Sequence, residues 1–168
     1  MGRSNLDGDT EYVQRLDEYL RSTGIEFAFL TPGQPMPTVP LAAAAIGVDE
    51  AQILKSLLFE GQDGGVVLVI ASGGFPVDPS AVTAASGLVQ PRLAKPAKVL
   101  EITGYPAGGV PPVGHATPIK TLIDNRVMLL DIAFAGGGSE DVLLRIRPTD
   151  ILQLTNGEVV SVVSTAPR

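Results

Sequence analysis

The stretch Ile53-Leu-Lys-Ser-Leu-Leu-Phe59, Gly61-Gln-Asp-Gly-Gly65, Val66-Val-Leu-Val-Ile-Ala71 holds two short apolar runs around a glycine-rich turn. Runs of this length, bounded by turn residues, predict two paired strands. A hairpin places strands next to each other in sequence, which a strict alternation of strand and helix does not. The fold class expected is therefore α+β, with one mixed, largely antiparallel, barrel-like sheet flanked by short helices.

Working outward, Tyr12, Val13, Leu16, Tyr19 and Leu20 recur at helical spacing and predict an amphipathic helix over 10–22. Asp9 or Thr10 suits its N-cap and Gly24 its stop. Ile25 to Leu30 reads as a short strand, Thr31 to Pro40 as a proline-rich loop, and Leu41 to Ile46 as a short helix ended by Gly47. Downstream, Asp78-Pro79 opens a helix that Gly87 closes, and Lys95-Pro96 opens another that Gly104 closes. Arg126 to Phe134 and Val142 to Arg147 read as strands around Gly136-Gly137-Gly138. Pro148 starts a helix to about Leu154, and Val159 to Val163 is a last strand. No internal repeat or long linker divides the chain, so residues 10–163 form one expected domain, with polar tails at 1–9 and 164–168.

The chain has 168 residues, 45% hydrophobic and 18% charged, which suits a globular domain with a sizeable core. Its apolar runs are too short to cross a membrane, and residues 1–9 lack the apolar core of a secretory signal. The compartment expected is the cytoplasm. With no cysteine and one histidine, disulfides, thiolate metal sites and a cysteine nucleophile are excluded, and no metal or cofactor is expected. The net charge is −6, and no basic block is present. Phosphate neutralisation supplies most nucleic-acid affinity, so binding of RNA would be weak, local or assisted by another protein.

Gly104-Tyr-Pro-Ala-Gly-Gly-Val-Pro-Pro-Val-Gly-His115 contains four glycines and three prolines before its histidine. Glycine lets a backbone approach a ligand closely and proline stiffens the rest, so the segment suits presenting N–H groups to an oxygen. The same composition suits an ordinary surface loop. Lys55 lies among large apolar residues on a predicted strand, where its charge either meets a partner or ligand or points to water from an edge. His115, the sole histidine, suits an acid, a base, a donor or a hydrogen-bonded structural side chain. Gly87-Leu-Val-Gln-Pro91 could turn an N–H toward a carbonyl, though a helix C-cap also accounts for Gly87. No nucleophile elbow, complete P-loop or dinucleotide fingerprint is present.

In this order the segments resemble the YbaK / prolyl-tRNA synthetase-associated editing-domain family. The matching features are Lys55-Ser56-Leu57, Gly87-x-x-x-Pro91, Thr103 to His115, and Gly136-Gly137-Gly138 before Arg147-Pro-Thr-Asp-Ile-Leu-Gln-Leu154. They cover about residues 10–163, and Gly-x-x-x-Gly-Gly-Val-x-Pro-x-Gly is the specific part. The resemblance implies a YbaK-like fold and a freestanding aminoacyl-tRNA deacylase. Its substrate would be tRNA for proline carrying a small wrong amino acid such as alanine or cysteine, and a synthetase is an implied partner. It implies that Lys55 is the residue most closely tied to activity, that Gly87 backbone holds the ester carbonyl, and that His115 helps shape selectivity. Ser56, Gly108 and Gly109 complete the expected substrate site. Two departures stand out: Ser56 replaces a threonine common among relatives, and the acidic balance suits tRNA poorly.

Such an activity has a physical rationale. Synthetase pockets separate small amino acids by only ~1–3 kcal/mol per methylene, so a second hydrolytic sieve is useful. An aminoacyl ester is already activated and needs positioned water and oxyanion donors rather than a protein nucleophile. The rival readings are a non-catalytic module binding aminoacyl-tRNA or a synthetase, a hydrolase of small aminoacyl esters, and a structural domain without a pocket.

Overall fold

The computed structural model describes residues 3–164, with side chains from residue 10 onward. Residues 1–2 and 165–168, parts of the expected tails, lie outside the described residues. Helix α1 (Arg3–Thr23) begins at Arg3 rather than at residue 10. No proline interrupts residues 3–9, so the helix propagates back from its packed turns, and Gly8 is tolerated at a cost of about 1 kcal/mol.

After α1 come β1 (Ala28–Leu30), α2 (Val39–Ile46), β2 (Leu54–Glu60) and β3 (Val66–Ser72). Then follow α3 (Pro79–Ser86), β4 (Arg92–Leu93), α4 (Pro96–Thr103) and β5 (Thr121–Asp124). The chain ends with β6 (Ala133–Gly136), β7 (Leu143–Ile146), α5 (Pro148–Thr155) and β8 (Glu158–Val160). The helix boundaries follow their local signals. Asp78 accepts from the Ser80 N–H at the start of α3, and Thr38 from the Leu41 N–H at the start of α2. Gly47, Gly87 and Gly104 close α2, α3 and α4 in the left-handed conformation.

The strands form two sheets rather than a closed barrel: β1-β7-β6, and β4-β2-β3-β5-β8. Four of the six pairings are antiparallel, and β5 runs parallel to both β3 and β8. The α+β domain with a mixed, largely antiparallel strand arrangement is as expected. A single bridge between Ile53 and Phe134 links the sheets.

Two strand expectations change. The run 126–134 is not one strand. Residues Val127–Leu129 form a 3₁₀ turn, with the Leu130 N–H donating to the Val127 carbonyl at 3.1 Å, and the strand starts only at Ala133. Val127 is fully buried while Leu129 is 83% exposed, which breaks the period of two. Strand β5 lies in a stretch assigned to no element from the sequence.

Strand β3 is covered on both faces, which accounts for its continuous apolar run. Leu68 and Ile70 face a core shared with Leu16 and Leu20 of α1, Leu144 and Ile146 of β7, and Ile151 of α5. Val67 and Val69 face the other way, onto Val82 of α3 and Leu122 of β5. Complete burial of Leu16 and Leu20 contributes about 1.5–3 kcal/mol each, enough to fasten α1 to the sheet.

Candidate functional site

Strand β2 pairs with β3 along its whole length, from Leu54 opposite Ser72 to Glu60 opposite Val66. On its other side it meets β4 only at Phe59 and Glu60. The Leu58 carbonyl accepts from the Ala94 N–H at 2.9 Å on that side. Strand alternation therefore points the backbone N–H and C=O of Leu54 and Ser56 the same way, along the part of the edge that β4 leaves uncovered and that β6 meets at the Ile53–Phe134 bridge. A cleft of about 240 Å³ follows this edge, with Lys55, Ser56, Thr38, Gly108 and Val110 among its walls.

The same alternation sends Ser56 to the face of Leu54 and Leu58, and Lys55 to the face of Leu57 and Phe59. The Ser56 hydroxyl oxygen is buried, with no hydrogen-bond partner among the described residues. Lys55 is half-buried, and its ammonium donates to the Phe75 carbonyl at 2.6 Å. The Phe75 ring in turn carries the Arg126 guanidinium 4.1 Å from its centre.

The opposite wall is the glycine–proline loop. The Gly109 N–H donates to the Pro106 carbonyl at 3.0 Å, closing a turn in which Gly108 sits at φ 91°. That conformation favours glycine and carries Gly108 out to the cleft. Gly109 lies behind it against β6 and the loop after it, where its carbonyl accepts from the Gly138 N–H at 2.9 Å. Its N–H already bonded, Gly109 serves to let two backbones touch.

Three expected site residues thus share one cleft, namely Lys55, Ser56 and Gly108, and the others do not. Gly87 is exposed at the end of α3, and its N–H donates to the Thr83 carbonyl at 2.8 Å. The N–H assigned to an ester carbonyl instead closes a helix. The spacing Gly-x-x-x-Pro occurs four times, at Gly33–Pro37, Gly87–Pro91, Gly108–Pro112 and Gly114–Pro118, and the glycine of the third lines the cleft beside Lys55. The repeated spacing was available in the sequence; which copy meets Lys55 is decided by tertiary structure.

His115 lines a second cleft, of about 230 Å³, with Tyr19, Thr117, Thr121 and Thr155. One ring nitrogen, Nε2, lies 2.7 Å from the Pro111 carbonyl. A carbonyl only accepts, so Nε2 carries the hydrogen. Burial lowers the His115 pKa below the ordinary imidazole value, and the bond to Pro111 opposes that shift only in part. Burial, with a smaller contribution from Tyr105, raises the pKa of Tyr19 in the same cleft. Among the described residues, no group of three or more His, Asp or Glu side chains is placed to hold a metal ion. None of their helices is long and apolar enough to cross a membrane.

Residues 33–154 match the family model for the aminoacyl-tRNA editing domain. The chain is 31% identical over 122 residues to the uncharacterized protein YwhH of Bacillus subtilis, covering 73% of this chain and 77% of that one. It is 24% identical over 122 residues to EbsC of Enterococcus faecalis, a candidate Cys-tRNA(Pro)/Cys-tRNA(Cys) deacylase, covering 73% and 74%. Proline–tRNA ligase of Thermotoga maritima is 31% identical over 111 residues, which are 66% of this chain and 18% of the ligase. A crystal structure described as that of a candidate trans-editing enzyme for prolyl-tRNA synthetase superposes with a TM-score of 0.84 at 32% identity, covering 91% of this chain and 97% of the other. The chain belongs to the aminoacyl-tRNA editing domain family.

Proposed function

We propose that this protein hydrolyses the ester of mischarged aminoacyl-tRNA, acting in trans in the cytoplasm, and that the cleft on the edge of β2 beyond β4 is its active site. The observation that carries the reading is the meeting of Lys55, the Ser56 backbone beyond the end of β4, and Gly108 around one cleft in an editing-domain fold. At about 240 Å³ the cleft is smaller than the roughly 300–1,000 Å³ of drug-sized ligand sites. It suits a small aminoacyl group. That size, with the descriptions of EbsC and the trans-editing neighbour, favours tRNA for proline carrying alanine or cysteine. The likeness to proline–tRNA ligase favours a synthetase as the partner that delivers it.

In the reaction, water adds to the ester carbonyl carbon, the bond from that carbon to the ribose oxygen breaks, and the proton ends on the ribose hydroxyl. Backbone N–H groups on the β2 edge and at Gly108 are the donors for the developing oxyanion. Fixed donors stabilise that charge without reorganising. Lys55 fixes the substrate through its phosphate or carbonyl, and the Ser56 side of the strand lines the aminoacyl group. Water and protein donors suffice in this scheme, so a chelator should leave the rate unchanged.

The test is a deacylation screen across alanyl-, cysteinyl-, seryl- and other aminoacyl-tRNAs, with uncharged tRNA as competitor. Turnover of one or two small aminoacyl-tRNAs, inhibited by uncharged tRNA, is expected. No turnover across the panel would make the protein a binding module. Turnover insensitive to competitor would make it a hydrolase of small esters.

A further inference from the structure

His115 does not line the Lys55 cleft, yet it bonds the loop that does. The loop carries Gly108 and Val110 on its cleft side and the buried Pro111 and Pro112 behind them. Two consecutive prolines contribute no backbone N–H, so this part of the loop can be tied down only through its carbonyls. The Pro111 carbonyl is tied by the His115 Nε2–H at 2.7 Å. On the other side, the Gly109 carbonyl is held by the Gly138 N–H at 2.9 Å. Only Val110 lies between these ties and proline stiffens the backbone beside it, so a shift at Pro111 carries first to Val110 and from there to the turn that holds Gly108. The imidazole is itself seated: a methyl group on the neighbouring Gly114 would lie 2.8 Å from the Tyr19 ring. Helix α1 thus closes directly over the turn that presents His115.

We propose that His115 is a positioning residue for the active-site loop, setting the wall opposite Lys55 from a cleft that the substrate does not enter. The inference rests on the functional reading above for its kinetic consequence, and on the geometry alone for its structural one. Selectivity among aminoacyl groups then depends on His115 through the place of Val110 and Gly108, with no contact between imidazole and substrate.

The experiment compares His115→Gln, which keeps an N–H donor in similar reach, with His115→Leu, which keeps bulk and removes the donor. Both are assayed well below their melting temperatures. Single-turnover deacylation of the best substrate should fall about tenfold in kcat in His115→Leu, with KM little changed, the loss expected for one hydrogen bond that places a catalytic wall. In His115→Gln it should stay within about threefold of wild type, because an amide N–H can replace the imidazole donor. Amide hydrogen exchange at Gly108, Gly109 and Val110 should rise in His115→Leu and stay near wild type in His115→Gln. Equal kcat in the wild type and a folded His115→Leu would overturn the proposal, as would equal impairment of the two variants. The exchange readout needs no substrate. A wild type without deacylase activity but with the expected exchange pattern would sink the functional reading and leave the positioning role standing; unchanged exchange would do the reverse.

Discussion

Gly109 and His115 both stand in a segment whose composition marks it as unusual, and the physical reason for each differs from the one that composition suggests. A Cβ on Gly109 would lie 2.7 Å from the Ser139 nitrogen and 2.8 Å from the Gly138 carbonyl carbon. Both are backbone atoms in a hydrogen-bonded turn and cannot swing aside. Gly109→Ala should therefore destabilise the fold by about 2 kcal/mol in urea unfolding, as overpacking does; an unchanged midpoint would contradict the close approach described. His115 has a proton-linked signature. Its folded pKa lies below the ordinary value of about 6.5, so above that pH both folded and unfolded states are neutral there. As pH falls below about 6.5 the unfolded chain takes up the proton first and stability declines, levelling off below the lowered folded pKa. Tyr19, the other ionisable group of that cleft, is shifted further into the alkaline range and stays neutral throughout. Melting curves at pH 7.5 and 5.5 should show a larger acid loss in wild type than in His115→Gln. Equal losses would place the imidazole in open solvent.

Among the elements, β5 is the most dependent on one side chain. Asp124 ends the strand fully buried, accepting from the Val162 N–H at 2.9 Å, the Val163 N–H at 3.2 Å and the Arg126 N–H at 3.0 Å. It fastens the segment after β8 to the sheet, next to the Val77–Val163 bridge. Asp124→Ala strands three donors, two of them buried, and should cost about 3 kcal/mol or more, read as a fall in urea midpoint; a loss within about 0.5 kcal/mol would contradict this role. The sequence announces none of it. The four residues Thr121–Asp124 are too few to show a period, and parallel pairing with β3 is nonlocal. The helices were legible because proline, Asp78 and the closing glycines act within one turn of where they stand. The β2–β3 hairpin was legible because its turn and its apolar runs are contiguous. The candidate cleft was half legible for the same reason. Lys55 and Gly108 could be named from local chemistry, but Gly33, Gly87, Gly108 and Gly114 all begin the same spacing, and only the packing of the loop against β6 brings Gly108 to the cleft.

Over the whole molecule, a net charge of −6 must be reconciled with a polyanionic substrate. Engagement limited to the acceptor end does so, because two or three phosphate contacts then supply the electrostatic term. For single-stranded RNA, log K against log salt should have a slope of about −1.4 to −2.1. A slope steeper than about −5 would reveal a broad basic footprint and contradict local binding. The same restraint explains why a synthetase partner would help: it can deliver a substrate that this surface attracts weakly.

The central claim is that the ester is hydrolysed in the cleft on the edge of β2 beyond β4, beside Lys55, and one comparison tests it directly. Single-turnover deacylation of the best aminoacyl-tRNA substrate is measured for wild type and Lys55→Ala, with melting temperatures recorded alongside. The account predicts a loss of about 100-fold or more in rate, typical of removing one positioned charge or donor, in a variant that stays folded. A folded Lys55→Ala that deacylates at the wild-type rate would contradict it.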